Sequence, residues 1–271
     1  MTFELVRDNA LLLLALVSLL WLVSVKLRDA SIVDPWWSIL FLAVSARTAD
    51  VTGFGPRNLA LLALVAAWAL RLWLHLLVRS RGKPEDPRYQ AFRVRFGAER
   101  YWWVSFFQVF LLQGLLALVI SAPLQYAASR ASSEPFHALD ALGLVLFATG
   151  FVFEATADRQ LQRFRDDPAS RGRVLDTGLF ALTRHPNYFG DAVLWCGFGC
   201  FASTSFAGAL TWFGPALMTF LLMRVSGVTM LDEHLTKTRP GYAAYIARTP
   251  GFFPRWPKKR DGNAVESRET L

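Results

Sequence analysis

Cysteine and histidine are both scarce in this sequence, which holds two cysteines and four histidines among 271 residues. Cys196 and Cys200 lie four residues apart within an apolar segment, so a pair of buried thiols is expected rather than a disulfide or a metal site. The histidines are spread over different segments, which argues against a zinc centre. We therefore expect no metal in this protein.

The signature loops of soluble nucleotide-binding proteins are also missing. The chain has no GxGxxG sequence and no P-loop, which excludes a soluble dinucleotide-binding domain of the usual kind. It has no internal repeat, and no nucleophile is paired with a base in a recognisable motif. Any nucleotide pocket must therefore be built in another way.

Long apolar runs dominate what is present. Hydrophobic residues make up 54% of the chain, against about 45–50% in soluble domains, and the mean hydropathy is +0.31. The 22 phenylalanines and 10 tryptophans suit lipid-facing surfaces and interfacial belts. The composition predicts an all-α integral membrane protein.

Seven segments approach the roughly 20 apolar residues that a membrane-spanning helix needs. They are residues 8–26, 31–49, 57–79, 104–128, 137–158, 187–204 and 207–231. The pattern predicts a seven-transmembrane-helix bundle. Its first span is expected to be retained, because no small-residue cleavage site follows it.

Lysine and arginine cluster after the third and fifth predicted spans and in the tail. With an odd number of spans, these basic loops and the tail all lie on the same side of the membrane. By the positive-inside rule that side is the cytoplasm, with the N-terminus outside and the C-terminus cytoplasmic. The net charge of +8 fits cytoplasmic loops, and no nucleic-acid partner is expected. We expect one membrane domain over residues 1–257 and a polar, disordered cytoplasmic tail over 258–271.

A dense polar motif opens the sixth predicted span. Its polar or ionisable side chains are Thr183, Arg184, His185, Asn187, Tyr188 and Asp191. Lipid tolerates such a density where the groups face a cavity or a ligand. Pro186 suits the first turn of a helix, and the N–H groups of that turn favour an anion. The motif therefore indicates either a ligand pocket or a juxtamembrane turn with interfacial side chains.

The basic loop before this motif supplies matching chemistry. Glu154 and Asp158 end the fifth predicted span four residues apart, on one helix face. Arg165 and Arg173 follow, and guanidinium groups match phosphate oxygens in pairs. Together with the helix start at Asn187 they indicate a nucleotide pocket. The alternative is a positive-inside loop with solvated arginines.

Charged residues also occur within or beside other predicted spans. Asp34 and Arg71 are either a structural salt bridge or substrate contacts, because intramembrane charges pair or line cavities. Arg224 falls within the last span and needs a partner. Asp232 and Glu233 follow it, and they either pair with the basic loops or belong to a solvated amphipathic tail.

Several of these stretches together resemble a family of membrane reductases. The main stretch is LDTGLF, which begins at Leu175, followed by TRHPNYFGD, which begins at Thr183. With GKPEDPRY at 82–89, QVFLLQG at 108–114 and Pro240-Gly241-Tyr242, it is similar to the steroid 5-alpha-reductase-like family. The resemblance covers about residues 30 to 256. It is strongest to the bacterial DUF1295 branch, which implies a bacterial inner-membrane protein.

This resemblance implies a seven-helix enzyme that reduces a carbon–carbon double bond with NADPH bound in a cytoplasm-facing cavity. Positions that match the family and charged residues near them give the candidates for cofactor binding. These are Glu154, Asp158, Arg165, Arg173, Arg184, His185, Asn187, Asp191, Arg224, Asp232, Glu233, Tyr245 and Arg248.

The resemblance extends to the substrate end with two departures. Asp34 stands where the steroid reductases carry a substrate-binding glutamate, and Arg71 keeps the spacing to a family arginine. Trp68 stands where those enzymes have a tyrosine that polarises the enone, and Val228 lies near a family histidine. The catalytic candidates are Asp34, Trp68, Arg71 and Tyr188. Because an indole cannot supply the proton, an acid near Asp34 or Tyr188 is expected to do so.

The expected reaction is the NADPH-dependent reduction of a lipophilic steroid-like or enone lipid that enters from the bilayer. We expect a monomer surrounded by membrane lipids. One alternative is an S-adenosylmethionine-dependent methyltransferase of the isoprenylcysteine type, which shares the RHPNY helix start. The two arginines after the fifth span favour a multiply phosphorylated cofactor instead. The other alternative is a non-catalytic lipid-binding membrane protein, in which the charges only orient and pair.

Overall fold

The chain folds as helices connected by short loops. The computed structural model describes residues 1–131, 134–225 and 228–256, and within those ranges it contains no β-strand. This confirms the all-α fold class. The tail predicted to be disordered, residues 258–271, lies outside the described residues.

The α-helices of the described ranges are numbered here in chain order. They are α1 (Phe3–Leu27), α2 (Val33–Thr52), α3 (Pro56–Ser80), α4 (Pro87–Phe96), α5 (Tyr101–Ser105), α6 (Leu112–Ile120), α7 (Ala122–Ala131), α8 (Ala138–Asp166), α9 (Pro186–Ala202), α10 (Phe206–Ala209), α11 (Phe213–Phe220), α12 (Val228–Thr238) and α13 (Tyr242–Arg248). Prolines begin α3, α4 and α9, where their missing N–H would have no partner within the helix.

Five helical stretches of the described chain are long and apolar enough to cross a membrane. They are Phe3–Leu27, Pro56–Ser80, Tyr101–Ile120, Ala138–Asp166 and Phe206–Arg224. Each coincides with a predicted span, which confirms the membrane character. The other two predicted spans are helical but less apolar or shorter, since α2 carries Asp34, Arg47 and Asp50, and α9 has 17 residues. The seven-span count and the orientation remain predictions.

The helices form two compact units. Unit 1 comprises Met1–Phe147 and Trp195–Met218, and unit 2 comprises Ala148–Leu194 and Thr219–Leu271.

Aromatic rings fill the centre of unit 1. Trp68 and Trp195 are fully buried and meet edge to face, with ring centroids 5.4 Å apart. Phe41 packs against both rings, at 5.7 Å from Trp68 and 5.0 Å from Trp195. Such edge-to-face pairs are favourable beyond the area they bury. Trp68, a catalytic candidate from the sequence, therefore lies in the core of unit 1.

A buried ion pair joins α3 to α8 in unit 1. Arg57 donates from Nε and Nη2 to the two carboxylate oxygens of Asp140, both at 2.8 Å. The side chains are 1% and 2% exposed. Arg57 also donates to the carbonyl oxygen of Phe201 at 2.5 Å. The pair fixes the first turn of α3 against the first turn of α8.

In unit 2, α8 and α9 cross at two glycines. A Cβ atom on Gly150 would lie 2.4 Å from the carbonyl oxygen of Gly190, and one on Gly190 would lie 2.6 Å from the backbone nitrogen of Glu154. The backbones are therefore close enough to require glycine at both positions. Small residues allow helices to approach in this way within membranes.

Substituting Gly190 by alanine should destabilise the protein by about 1–3 kcal/mol, because the added methyl group pushes the two backbones apart. Unfolding in mixed micelles measures this change. Gly114→Ala is the control, because its Cβ would meet only the side chain of Val17, at 3.2 Å. Alanine also has the higher helix propensity, so the control should change stability by less than about 1 kcal/mol. Equal losses in the two variants would contradict a crossing that depends on close backbone contact.

Candidate functional site

Four predicted cofactor residues lie on the two helices that meet at the glycine crossing in unit 2. Glu154 and Asp158 lie on α8, and Asn187 and Asp191 lie on the first turns of α9. The Asn187 side-chain amide donates to Asp158 Oδ1 at 3.3 Å. Glu154, Asp158 and Asp191 are only 3%, 6% and 7% exposed. The two helices therefore carry three buried carboxyl groups and an amide near their crossing.

Asp232 of α12 is the centre of a second polar cluster in unit 2. Its carboxylate accepts hydrogen bonds from Arg184 Nη2 at 2.6 Å and Tyr242 Oη at 2.6 Å, and His185 Nε2 lies 3.1 Å away. Burial opposes ionisation of Asp232, but the hydrogen bonds from His185, Arg184 and Tyr242 outweigh it and hold the pKa well below its usual range. Arg184 also donates to the carbonyl of Thr249. We call Arg184, His185, Asp232 and Tyr242 the Asp232 cluster.

Helix α13 continues this arrangement. Tyr245 donates its hydroxyl to the carbonyl of Phe180 at 2.6 Å, and Arg248 pairs with Asp176 at 2.6 Å. Five predicted cofactor residues therefore hold α12 and α13 to the motif. They are Arg184, His185, Asp232, Tyr245 and Arg248.

The remaining cofactor candidates, Arg165, Arg173, Arg224 and Glu233, have exposed side chains. Close to the first two in sequence lies a cavity of about 330 Å³. It is lined by Gln160, Arg163, Phe164, Asp167, Ser170, Leu175, Thr177 and Gly178. Sequence reasoning passed over Gln160 and Arg163, because nothing in the pattern distinguishes them from other polar residues of a basic loop.

Asp34 is held in unit 1 by the start of α4. Arg88 donates to Oδ2 at 2.8 Å, and the hydroxyl of Tyr89 donates to Oδ1 at 2.6 Å. The partners of Asp34 are thus Arg88 and Tyr89 rather than Arg71, which lies half-buried on α3. Burial, together with the charge of Asp34, raises the pKa of Tyr89 far above its ordinary value, so the hydroxyl keeps its proton.

The segment before α4 is fastened to the connection between α1 and α2. Glu85 accepts the backbone N–H of Ala30 at 2.8 Å and pairs with Arg93 at 2.8 Å. Arg93 also donates to the carbonyl of Arg28 at 3.2 Å. The GKPEDPRY stretch therefore positions Tyr89 on Asp34, a role that its sequence does not reveal.

The last catalytic candidate, Tyr188, stacks on His185 in unit 2 with ring centroids 5.5 Å apart.

Comparison with known proteins places these features in a family. Residues 20–249 match the family described as "Protein of unknown function (DUF1295)". The chain belongs to the DUF1295 family. The resemblance inferred from the motif is thereby confirmed.

The DUF1295 chain also has relatives among curated proteins. It is 30% identical to the uncharacterized protein C594.04c of Schizosaccharomyces pombe, over 90% of this chain and 78% of the relative. It is 29% identical to the steroid 5-alpha-reductase DET2 of Arabidopsis thaliana, over 44% of this chain and 38% of that protein. It is 29% identical to the probable O-methyltransferase ustE of Ustilaginoidea virens, over 44% of this chain and 41% of that protein. No solved structure matches this member of the DUF1295 family.

Proposed function

We propose that this protein reduces a carbon–carbon double bond of a lipophilic enone, with NADPH as the hydride donor. The observation that carries the proposal is the buried site of Glu154, Asp158, Asn187 and Asp191, built on the glycine crossing. The partial similarity to a steroid 5-alpha-reductase supports a reductase reaction. The membrane character supports a substrate that arrives from the bilayer.

The residues of unit 2 fit the chemistry of a phosphorylated nicotinamide cofactor. Arg165, in the last turn of α8, and Arg173, on the loop that follows, have exposed guanidinium groups, which would hold phosphates. The Asn187 amide and the Asp158 and Asp191 carboxyl groups would hold amide and hydroxyl groups of the cofactor. The cofactor supplies the hydride, and the chain supplies binding and orientation.

The pair of Asp34 and Tyr89 is our candidate for handling the proton. Trp68 is buried among aromatic rings and has no acidic proton, so it cannot act as an acid. The hydroxyl of Tyr89 is protonated and its oxygen is fixed by Asp34 at 2.6 Å. Tyr89 has a single hydroxyl proton, which it donates to Asp34. To stabilise the developing enolate oxygen of a substrate, that proton would have to turn from Asp34 to the substrate. Arg88 balances the charge of Asp34.

A methyltransferase that uses S-adenosylmethionine is the second candidate. The specific observation in its favour is the partial similarity to the probable O-methyltransferase ustE. The exposed Arg165 and Arg173 favour the reductase, because S-adenosylmethionine carries no phosphate for them to bind.

Thermal stability of the purified protein in the presence of each cofactor tests the proposal. At about 100 times its dissociation constant, NADPH should stabilise the protein by about 2.7 kcal/mol and raise the Tm by about 5 °C or more. NADH and S-adenosylmethionine should raise it much less. Stabilisation by S-adenosylmethionine alone would favour the methyltransferase. No stabilisation by any of the three cofactors would overturn both enzyme proposals.

Single-residue variants test which side chains bind NADPH. Asn187→Ala and Arg173→Ala should each weaken NADPH binding about ten-fold, because each removes a hydrogen bond to a polar or charged group. Arg171→Ala is the matched control, since Arg171 is an exposed arginine of the same loop that is not among the candidates. An equal loss in the control would point to general attraction by a basic loop.

A further inference from the structure

Unit 1 has a groove that none of the catalytic or cofactor candidates lines. Its volume is about 480 Å³, within the range of about 300–1,000 Å³ that is typical of small-molecule sites. Apolar side chains of α1, α2 and α3 form its walls, among them Leu20, Ile39 and Leu77. Leu19 and Trp36 also line it and remain 59% and 38% exposed. The groove is therefore open along its side, where a membrane protein meets lipid.

The polar residues of the groove all lie at one end. They are Asp29, Ser31, Ser80 and Lys83. They fall at or just beyond the end of α1 at Leu27 and the end of α3 at Ser80. From Leu27 back to Leu16, a difference of 11 residues, the groove follows α1 for about 16 Å. This is about half of the ~30 Å hydrocarbon core, which is the depth of one leaflet.

The charge at the polar end favours an anionic head group. The Asp29 carboxylate carries a negative charge at this end, and it accepts the backbone N–H of Ser31 at 2.8 Å and the Ser31 hydroxyl at 2.5 Å. Basic residues outnumber it. Lys83 is exposed, and no carboxylate in the described part of the chain pairs with it. Basic residues near the same helix ends are also exposed, namely Lys26, Arg28, Arg79 and Arg81. Basic clusters at a membrane surface attract anionic lipids.

We propose that this groove binds one acyl chain of an anionic membrane lipid, whose phosphate group lies against Lys83 and Ser80. The acyl chain lies between Leu20 and Ile39 and reaches Leu16. The apolar walls, the leaflet depth and the basic end each match one part of such a lipid. This site does not depend on the proposed reductase activity, because none of its lining residues is a cofactor or catalytic candidate.

Photolabelling of the full-length protein in phosphatidylcholine nanodiscs tests the proposal. The probe is hexadecyl phosphate with a diazirine at the end of its chain, and mass spectrometry locates the labelled residues. We expect labelling to concentrate around Leu16 and Ile39. Phosphatidylglycerol in the nanodisc should displace the probe, whereas hexadecanol should not. Labelling spread evenly over all exposed apolar helix faces, or equal competition by hexadecanol, would overturn the proposal.

Two pairs of variants separate the head and tail contacts. Lys83→Glu should weaken probe binding about ten-fold, because it replaces a charge-assisted contact by a repulsive one. Arg81→Glu reverses an exposed charge two residues away and should have less than about half of that effect, since Arg81 does not line the groove. Equal losses would show surface attraction only and would contradict a defined site.

The tail contact is tested by filling the groove. Leu20→Trp should reduce labelling at Ile39, because the larger ring occupies space beside the acyl chain. Leu14→Trp is the control, since Leu14 is 42% exposed on α1 but does not line the groove. Unchanged labelling in Leu20→Trp would overturn the proposed path of the chain, and Lys83→Glu provides a test in which the packing is not altered.

Discussion

Replacing Asp232 by alanine is expected to lower the free energy of unfolding by about 3–5 kcal/mol. The carboxylate accepts hydrogen bonds from Arg184 and Tyr242, both at 2.6 Å, and lies 3.1 Å from His185. The Arg184 side chain is 10% exposed. Without Asp232 a largely buried guanidinium loses its counter-charge, which costs more than the pair itself contributes. Unfolding in mixed micelles, followed by the loss of helical signal, measures the change.

Glu233→Ala is the matched control for this prediction. Glu233 is the next residue of α12 and carries the same charge, but its side chain is exposed. Its removal should change stability by no more than about 0.5 kcal/mol. If both variants lose the same stability, the effect comes from α12 as a whole rather than from the Asp232 cluster.

The pH dependence provides a second readout of the same group. The folded-state pKa of Asp232 is lowered, so the carboxylate contributes stability above its ordinary pKa of about 3.9. That contribution declines as the pH falls below this value towards the folded-state pKa. The stability difference between the wild type and Asp232→Asn should therefore narrow between pH 6 and pH 3. A difference that is constant over this range would contradict the proposed charge on Asp232.

The sequence predicted a polar site at the start of α9. It could not predict which residues of the motif contact α8 and which contact α12. Asn187 donates to the buried Asp158 of α8, and Asp191, four residues further on, shares its side of α9. Arg184 and His185 bind Asp232, which lies more than 40 residues further along the chain. Such a long-range pairing is set by tertiary packing, and local pattern carries no information about it.

The partner of Asp34 illustrates the same limit. An arginine partner was expected from the rule that intramembrane charges pair, and the structure supplies Arg88 with Tyr89. The sequence pointed to Arg71 because it lies within an apolar run, where a charge is conspicuous. Arg88 and Tyr89 are inconspicuous in a charged loop, so only the fold identifies them.

The buried pair of Arg57 and Asp140 was missed for a different reason. Both residues lie at predicted ends of spans, where a single charge is ordinary and predicts no partner. In the structure the two side chains are 1% and 2% exposed. Because the pair is buried, breaking it is expected to cost much more stability than its position in the sequence indicates.

Asp140→Ala is accordingly expected to cost about 3–5 kcal/mol, because it leaves the Arg57 guanidinium buried without its main counter-charge. The double variant Arg57→Leu with Asp140→Leu should regain much of this loss, since apolar side chains can replace a buried ion pair at little cost. Recovery should be incomplete by about 1 kcal/mol or more. Asp140 also accepts the backbone N–H of His137 at 2.9 Å, and Arg57 also donates to the carbonyl oxygen of Phe201.

Arg130→Ala is the control for the buried pair. It removes the ion pair with Glu134 at 2.7 Å, in which the Arg130 side chain is 47% exposed. Glu134 itself remains, 3.6 Å from Arg57 Nη1. Water already screens the pair of Arg130 and Glu134, so the loss should be much smaller than that of Asp140→Ala. If the double variant were no more stable than Asp140→Ala, the cost would come from lost packing or capping rather than from an uncompensated charge. A large loss in Arg130→Ala would mean that burial does not decide which ion pairs stabilise unit 1.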